Sequence, residues 1–179
     1  MKCYMWAHGD IVVLKPAIEK ILFHRGRALL LDRVATEGSF FLGRFKVPAE
    51  ICEGHEPRPK MPVMRGVEIP EMAFQLLGVL VAKLADRNPE LAGALAGKAF
   101  AAREIIEAKF CGFVRPGDEL VIQTIGEVQV GEVAGLLRFE SKTILATVGG
   151  VKKCKIASVV ITAFNPAMLA SQEVGVSSR

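Results

Sequence analysis

Cysteine is sparse and unpatterned in this 179-residue chain. Its four cysteines lie far apart, without C-x-x-C spacing and without the density of a small disulfide scaffold. Cys52 and His55 have C-x-x-H spacing, but no second pair follows, so we predict no metal site. We expect reduced thiols in a cytoplasmic protein.

Aromatic residues are also scarce, at 7% of the chain, whereas 23 basic residues exceed 19 acidic ones and give a net charge of +4. Basic clusters occur at residues 24–27 and 152–155, and neither is interleaved with the aromatic side chains that a stacking platform for nucleic acid needs. We therefore predict solvated loops or strand ends there and no nucleic-acid partner. The positive charge modestly favours an acidic partner.

No long hydrophobic run is free of charge. The segment 67–85 is long enough to cross a bilayer, but the charged residues Glu68, Glu71 and Lys83 interrupt it. We therefore predict a soluble core helix and no membrane span. The N-terminus is interrupted by polar residues at positions 8–10 and does not resemble a secretory signal.

Sequence motifs for nucleotide and nucleophilic chemistry are missing as well. The chain contains no HExxH, GxxxxGK[ST], G-x-S-x-G or GxGxxG pattern. These absences argue against a zinc protease, a P-loop enzyme, a serine hydrolase and a dinucleotide-binding enzyme.

The hydrophobic patterns of the first half predict a short helix, two strands and one long helix. Residues 16–24 have the spacing of a short amphipathic helix, and residues 28–38 and 39–48 resemble two strands around a Glu-Gly turn. Residues 49–65 are rich in proline, which predicts an ordered loop. Residues 68–87 form the longest helix candidate and are apolar on nearly every side, as in a fully buried helix.

The second half is dominated by strand patterns. Residues 91–110 are ambiguous between helix and strand, and residues 113–164 predict three or four long strands separated by Gly-rich turns. We predict a single α+β domain over residues 1–179, with an N-terminal extension (1–15), a flexible tail (168–179) and an antiparallel sheet around the long helix. A second copy of the chain would cover the remaining face of that helix.

A polar stripe runs along the apolar helix. Glu71, Gln75, Gly78 and Ala82 are spaced by four, three and four residues and so share one face. Two polar side chains leading into two small residues are compatible with a narrow apolar slot that has a carboxylate at its entrance. They are equally compatible with a close helix contact at Gly78 and an exposed Glu71 at the helix start.

His55 lies in the proline-rich loop that leads to the start of the same helix. A histidine and a glutamate together are suited to moving protons near neutral pH. The sequence leaves open whether His55 and Glu71 meet within one chain or across a dimer.

Four segments in order resemble one enzyme family. Residues 54–75, "GHEPRPKMPVMRGVEIPEMAFQ", are similar to the segment G-H-F-P-G-x-P-V-M-P-G-V-L-x-x-E-A-M-A-Q of the (3R)-hydroxyacyl-acyl carrier protein dehydratases of the FabZ and FabA type. "HRGRALLLDRV" (24–34), "FKVPAEICEGH" (45–55) and "AKFCGFVRPGDEL" (108–120) match further segments of that family. Glu56 and Arg65 replace the family's usual Phe and Pro, and the loop between His55 and Val63 is two residues longer.

The resemblance implies a hotdog fold, in which a curved antiparallel sheet wraps a long central helix. It implies a homodimer whose two active sites each take a histidine from one subunit and an acidic residue from the other; trimers of dimers also occur in the family. The implied reaction converts (3R)-hydroxyacyl thioesters of acyl carrier protein to trans-2-enoyl thioesters in fatty acid biosynthesis. It needs no cofactor, because the substrate arrives on phosphopantetheine.

The same resemblance assigns roles to individual residues. His55 would take the C2 proton, Glu71 would help protonate the departing C3 hydroxyl, and the backbone N–H groups of Gly66 and Val67 would stabilise charge on the thioester oxygen. The carbonyl of Val63 would have a supporting role, because it would fix the His55 tautomer.

Three further positions complete the implied site. Gln75 would orient Glu71, and Gly78 with Ala82 would leave room for the acyl chain. The docking surface for the acidic carrier protein would be basic, and Arg115, Lys152 and Lys153 are the candidates.

Three alternatives stay open from the sequence. A thioesterase or an isomerising dehydratase uses the same fold, although Glu71 favours simple dehydration because the isomerising branch usually carries Asp there. A non-catalytic acyl-binding subunit is compatible with Glu56 and Arg65 at the entrance. A nucleic-acid-binding domain is the most distant alternative.

Overall fold

The computed structural model describes residues 2–5, 11–125 and 127–167. The predicted flexible tail, 168–179, lies outside these residues. The described part of the chain has three α-helices, which are α1 (Lys15–Ile21), α2 (Glu68–Ala85) and α3 (Pro89–Leu95). Short 3-10 turns cover Gly26–Ala28 and Ala49–Ile51.

Nine strands in the described residues form one sheet in which every pairing is antiparallel. They are β1 (Lys2–Met5), β2 (Val12–Leu14), β3 (Arg33–Glu37), β4 (Phe40–Lys46), β5 (Ala99–Phe110), β6 (Glu119–Ile125), β7 (Glu127–Val133), β8 (Leu136–Val148) and β9 (Val151–Phe164). The main path runs β2-β3-β4-β6-β8-β9-β5. Strand β7 pairs with the first half of β8, and β6 pairs with the second half of β8. Strand β1 pairs with β7.

Tight turns set the register of the long strands. Gly149 and Gly150 both have positive φ, +54° and +77°, which is the backbone of a two-residue hairpin turn that follows the twist of β8 and β9. Ala134 and Gly135, at +51° and +75°, make the equivalent turn between β7 and β8. The Gly-rich turns predicted in this region are therefore confirmed, and the residues described after position 113 contain four strands.

Helix α2 is confirmed within two residues of its predicted end. It packs against α1, α3 and strands β4, β5, β6, β8 and β9. None of its residues is exposed, and Met72, Val79, Leu80 and Val81 are completely buried. Within one chain, α1 and α3 already cover part of the α2 face for which the sequence analysis proposed a second chain.

Two local predictions differ from the structure. Residues 28–32 are not part of strand β3, and within them the carbonyl of Ala28 and the N–H of Leu30 bond to the Gln75 side chain. The segment 91–110, which was ambiguous between helix and strand, contains both: it begins with the last part of α3 and ends with β5. Asn88 caps α3 by accepting a hydrogen bond from the Leu91 N–H, which starts a new helix immediately after α2. No helix in the described part of the chain is long and apolar enough to span a membrane.

Candidate active site

The polar stripe of α2 lines a cleft of about 400 Å³. Glu71, Gln75 and Gly78 form the helix side of this cleft, hereafter the Glu71 cleft. The end of α1 with residues 22–25, and residues 98–102 at the start of β5, form the other walls. Three of the four residues of the predicted slot therefore line one cleft.

Gln75 holds the carboxylate of Glu71 by a complete set of hydrogen bonds. Its Oε1 accepts from the backbone N–H of Leu30 at 3.0 Å, and its Nε2 donates to the carbonyl of Ala28 at 2.7 Å and to Oε1 of Glu71 at 3.0 Å. Because a backbone N–H can only donate, the amide orientation is fixed and the NH₂ group faces Glu71. Gln75 is only 1% exposed, so these bonds are shielded from water.

A second side chain, which the sequence reasoning missed, also contacts Glu71. Nε2 of His24 lies 3.0 Å from Oε1 of Glu71, and the two side chains are 22% and 34% exposed. The prediction that residues 24–27 form only a solvated basic cluster is therefore wrong for His24. The pairing joins positions 47 residues apart, which no local pattern reveals; the one signal was that His24 begins the first segment of the family resemblance.

The two small residues of the stripe have different surroundings. A Cβ on Gly78 would lie 2.9 Å from Cδ2 of Leu22, so the missing side chain admits Leu22 against the helix as well as lining the cleft. Both sequence interpretations of Gly78 thus describe part of its environment. Ala82 lies in an adjoining cleft of about 500 Å³, which shares Ile21, Lys98 and Phe100 with the Glu71 cleft.

His55 is exposed and does not line the Glu71 cleft. Its Nδ1 lies 3.3 Å from the carbonyl oxygen of Val63, and the N–H of Val63 donates to the carbonyl of His55 at 3.0 Å. A carbonyl can only accept, so Nδ1 carries the proton and the lone pair of Nε2 is available as a base. The Val63 contact predicted from the sequence is therefore present.

The loop that carries His55 is anchored in the core by Cys52. The thiol of Cys52 is fully buried, and burial, with a smaller effect of Asp118, raises its pKa, so the sulfur is a protonated core group. The backbone N–H of His55 donates to the carbonyl of Cys52 at 3.2 Å. The C-x-x-H spacing thus reflects a turn that positions His55.

Gly66 and Val67 lie at the N-terminus of α2, between the two candidate catalytic residues in sequence. Neither N–H donates a hydrogen bond to any described residue, and both stand at the positive end of the helix. The ring of Phe110 covers Gly66, at 3.2 Å from the place of a Cβ, so a larger residue would be crowded there. Free N–H groups at the start of a helix are the type of donor that can stabilise negative charge.

Comparison with known proteins gives a consistent picture. No family model matches the chain. The chain is similar to the 3-hydroxyacyl-(acyl-carrier-protein) dehydratase FabZ of Thermotoga petrophila, with 31% identity over 144 residues, 76% of this chain and 96% of the relative. The FabZ of Thermotoga neapolitana is 33% identical over 145 residues, again 76% of this chain and 96% of the relative.

Solved structures support the fold. The dehydratase heterocomplex ApeI:P from Xenorhabdus doucetiae superposes with a TM-score of 0.62 over 88% of this chain and 97% of that one, at 14% identity. The fluoroacetyl-CoA thioesterase FlK superposes with a TM-score of 0.52 over 80% of this chain and 98% of that one, at 13% identity. The chain therefore has the hotdog fold and belongs to the FabZ family.

Proposed function

We propose that this protein is a dehydratase that converts (3R)-hydroxyacyl thioesters of acyl carrier protein to trans-2-enoyl thioesters. The observation that carries the proposal is the carboxylate of Glu71 in a cleft, oriented by the buried amide of Gln75. The tautomer of His55 supplies the matching base. Membership of the FabZ family gives this acid and base their reaction class.

The site is proposed to form between two subunits. Strand β5 pairs with β9 on one edge and with no described strand on the other, and this free edge carries the exposed side chains of Ile105, Ile106 and Phe110. The unpaired backbone of a long edge strand, together with these exposed apolar side chains, can pair with another chain. A second copy of this chain is the partner that the family implies.

Two-fold pairing of β5 would join the two halves of the site. Residues 99–102, at the start of β5, line the Glu71 cleft, whereas Phe110, at its end, packs on Gly66 near the His55 loop. An antiparallel two-fold interface sets the start of one β5 towards the end of the other. The His55 half of one subunit is then directed towards the Glu71 half of its partner.

The first step of the proposed mechanism is removal of the C2 proton. Nε2 of His55 accepts this proton, and the electron pair of the C2–H bond moves towards the thioester carbonyl. The N–H groups of Gly66 and Val67 stabilise the negative charge on the carbonyl oxygen, with the helix dipole adding to their effect.

The second step expels the hydroxyl group. The electron pair returns to form the C2–C3 double bond, the C3–O bond breaks, and the oxygen takes the proton of the neutral Glu71 carboxyl to leave as water. His55 ends with one proton more and Glu71 with one fewer, so exchange with solvent restores both residues.

Basic side chains near the His55 loop are proposed to bind the acidic carrier protein. Arg115 reaches the loop, with Nη2 3.8 Å from Sδ of Met61, and the side chain of Lys153 runs past Gly112. Lys152 is exposed beside Lys153. Their positive charge supports docking of an acidic partner next to the site entrance.

The proposal is tested by ultraviolet absorbance of the conjugated enoyl thioester, with hydroxyacyl and enoyl thioesters of several chain lengths. We expect interconversion by the wild-type protein, loss in the His55→Ala variant, and no release of free thiol in a parallel colour assay. Thiol release without enoyl interconversion would instead assign a thioesterase, an activity that the hotdog fold carries in fluoroacetyl-CoA thioesterase. Tight acyl binding without either reaction would assign a non-catalytic subunit.

A further inference from the structure

His24 is part of the Glu71 cleft although the proposed mechanism does not use it. The contact between Nε2 of His24 and Oε1 of Glu71 joins the end of α1 to the centre of the cleft. The imidazole stacks on the ring of Phe23, with centroids 4.6 Å apart and planes 20° from parallel. Arg25 donates to the carbonyls of Leu22 and His24, so the backbone of this segment is also held.

The surroundings of the other ring nitrogen of His24 favour one of its two tautomers. Nδ1 is buried and has no hydrogen-bond partner among the described residues. A proton on Nδ1 would leave a buried donor unsatisfied. The tautomer with its proton on Nε2 avoids this cost and places a donor on the nitrogen that lies 3.0 Å from Oε1 of Glu71.

Both side-chain contacts of Glu71 fall on one oxygen. Oε1 accepts from Nε2 of Gln75 at 3.0 Å and lies 3.0 Å from Nε2 of His24, while Oε2 has no partner among the described residues. When the carboxyl is neutral, its proton is favoured on the oxygen that does not make these two contacts. That oxygen is Oε2.

We propose that His24 is a positioning residue that, together with Gln75, confines the transferable proton of Glu71 to Oε2. The inference rests on the proposed function, because the proton matters only if Glu71 is the acid of the dehydration. His24 acts through Glu71 and not on the substrate directly. Two side chains from separate parts of the chain thus select one of two otherwise equivalent carboxyl oxygens.

Matched substitutions separate the hydrogen bond from the packing. His24→Phe keeps a ring that can stack on Phe23 but has no donor, whereas His24→Gln loses the ring and supplies an N–H group at the position of Nε2. We expect His24→Phe to lower kcat by about tenfold to a hundredfold with little change in KM, as for loss of a hydrogen bond to an ionisable group. We expect His24→Gln to retain most of the activity. Equal activity of His24→Phe and wild type, or equal loss in both variants, would overturn the proposal.

Nuclear magnetic resonance gives a readout that does not need turnover. In ¹⁵N-histidine protein we expect the His24 ring to show the Nε2–H tautomer, with the signal assigned by its absence in His24→Phe. In [¹³Cδ]-glutamate protein, the Glu71 signal, assigned through Glu71→Gln, should shift in His24→Phe and stay close to wild type in His24→Gln. An Nδ1–H tautomer or an unchanged Glu71 signal would overturn the positioning role. A wild-type protein inert on every thioester would instead overturn the proposed function and leave these signals interpretable.

Discussion

The two halves of the proposed site are built in opposite ways. The Glu71 half is on a buried helix, and its carboxylate is contacted by the buried Gln75 of the same helix and by the half-buried His24, 47 residues earlier in the chain. The His55 half is on an exposed, proline-rich loop and is fixed by its own neighbours, Val63 and Cys52. Each half is preorganised within one chain, yet His55 does not line the cleft that holds Glu71.

This difference predicts which substitutions affect stability and which affect activity alone. Changes in the Glu71 half should affect both stability and activity, because its polar groups are buried and bonded to backbone. Changes in the His55 half should affect activity alone. In the proposed dimer, pairing at the free edge of β5 brings the halves together, so we expect assembly to be required for function.

The largest effect is expected from removing either reacting group. His55→Ala and Glu71→Gln should each lower kcat by about a hundredfold to ten-thousandfold, the range for loss of a general acid or base. Glu68→Gln, one turn earlier on α2, is the matched control and should leave kcat unchanged. Thermal unfolding of His55→Ala should match wild type; a variant with near-native kcat would remove that residue from the mechanism.

A charge at the free edge should break the connection between the halves. Ile106 on β5 is 43% exposed, and Ile106→Glu would bury a carboxylate in a β5 pairing, at a high cost in free energy. We expect sedimentation velocity to show monomers with activity lowered by about tenfold or more. The control is Ile125→Glu on β6, a residue 40% exposed in this chain, which should stay dimeric and active. An active dimer of Ile106→Glu would exclude β5 as the interface.

Gln75→Met should show that the Glu71 half is also structural. The substitution leaves the N–H of Leu30 and the carbonyl of Ala28 without their partner, so the free energy of unfolding should fall by about 2–4 kcal/mol. Gln123→Met, on half-buried β6, is the control and should cost less than about 1 kcal/mol. Denaturant melts measure both, and equal stability of the two variants would contradict this role of Gln75.

The smallest effect is expected at the junction of the halves. Arg65 forms an ion pair with Glu68 at the start of α2, and its side chain is 59% exposed. Exposed pairs contribute little, so Arg65→Met should change the free energy of unfolding by less than about 0.5 kcal/mol. A larger loss in denaturant melts would mean that the His55 half depends on side-chain contacts after all.

The sequence predicted the elements whose signals are local. The apolar length of α2, ended at Asn88-Pro89, and the glycines of the strand turns act within a few residues, so their positions were close to those observed. The contact of Gln75 with Glu71 was predictable for the same reason, because residues four apart share a helix face. The loop contact of His55 with Val63 came from the family resemblance and agrees with the structure.

Long-range contacts could not be predicted in this way. The segment after Gly26 has a strand-like composition, but the N–H of Leu30 and the carbonyl of Ala28 bond to the side chain of Gln75, 45 and 47 residues away. His24 resembled a surface residue because its partner Glu71 is equally distant in sequence. Coverage of α2 by α3 was missed because the small, weakly periodic residues 91–97 do not indicate a helix clearly.

Mixing the two inactive variants tests the shared site most directly. In a 1:1 mixture of His55→Ala and Glu71→Gln subunits, half of the dimers are mixed, and one of the two sites in each has both reacting groups intact. A two-fold shared site therefore predicts recovery of about a quarter of wild-type activity after dissociation and reassembly. Mixed dimers verified by mass spectrometry that remain inactive would show that each site belongs to a single chain, and would contradict the account.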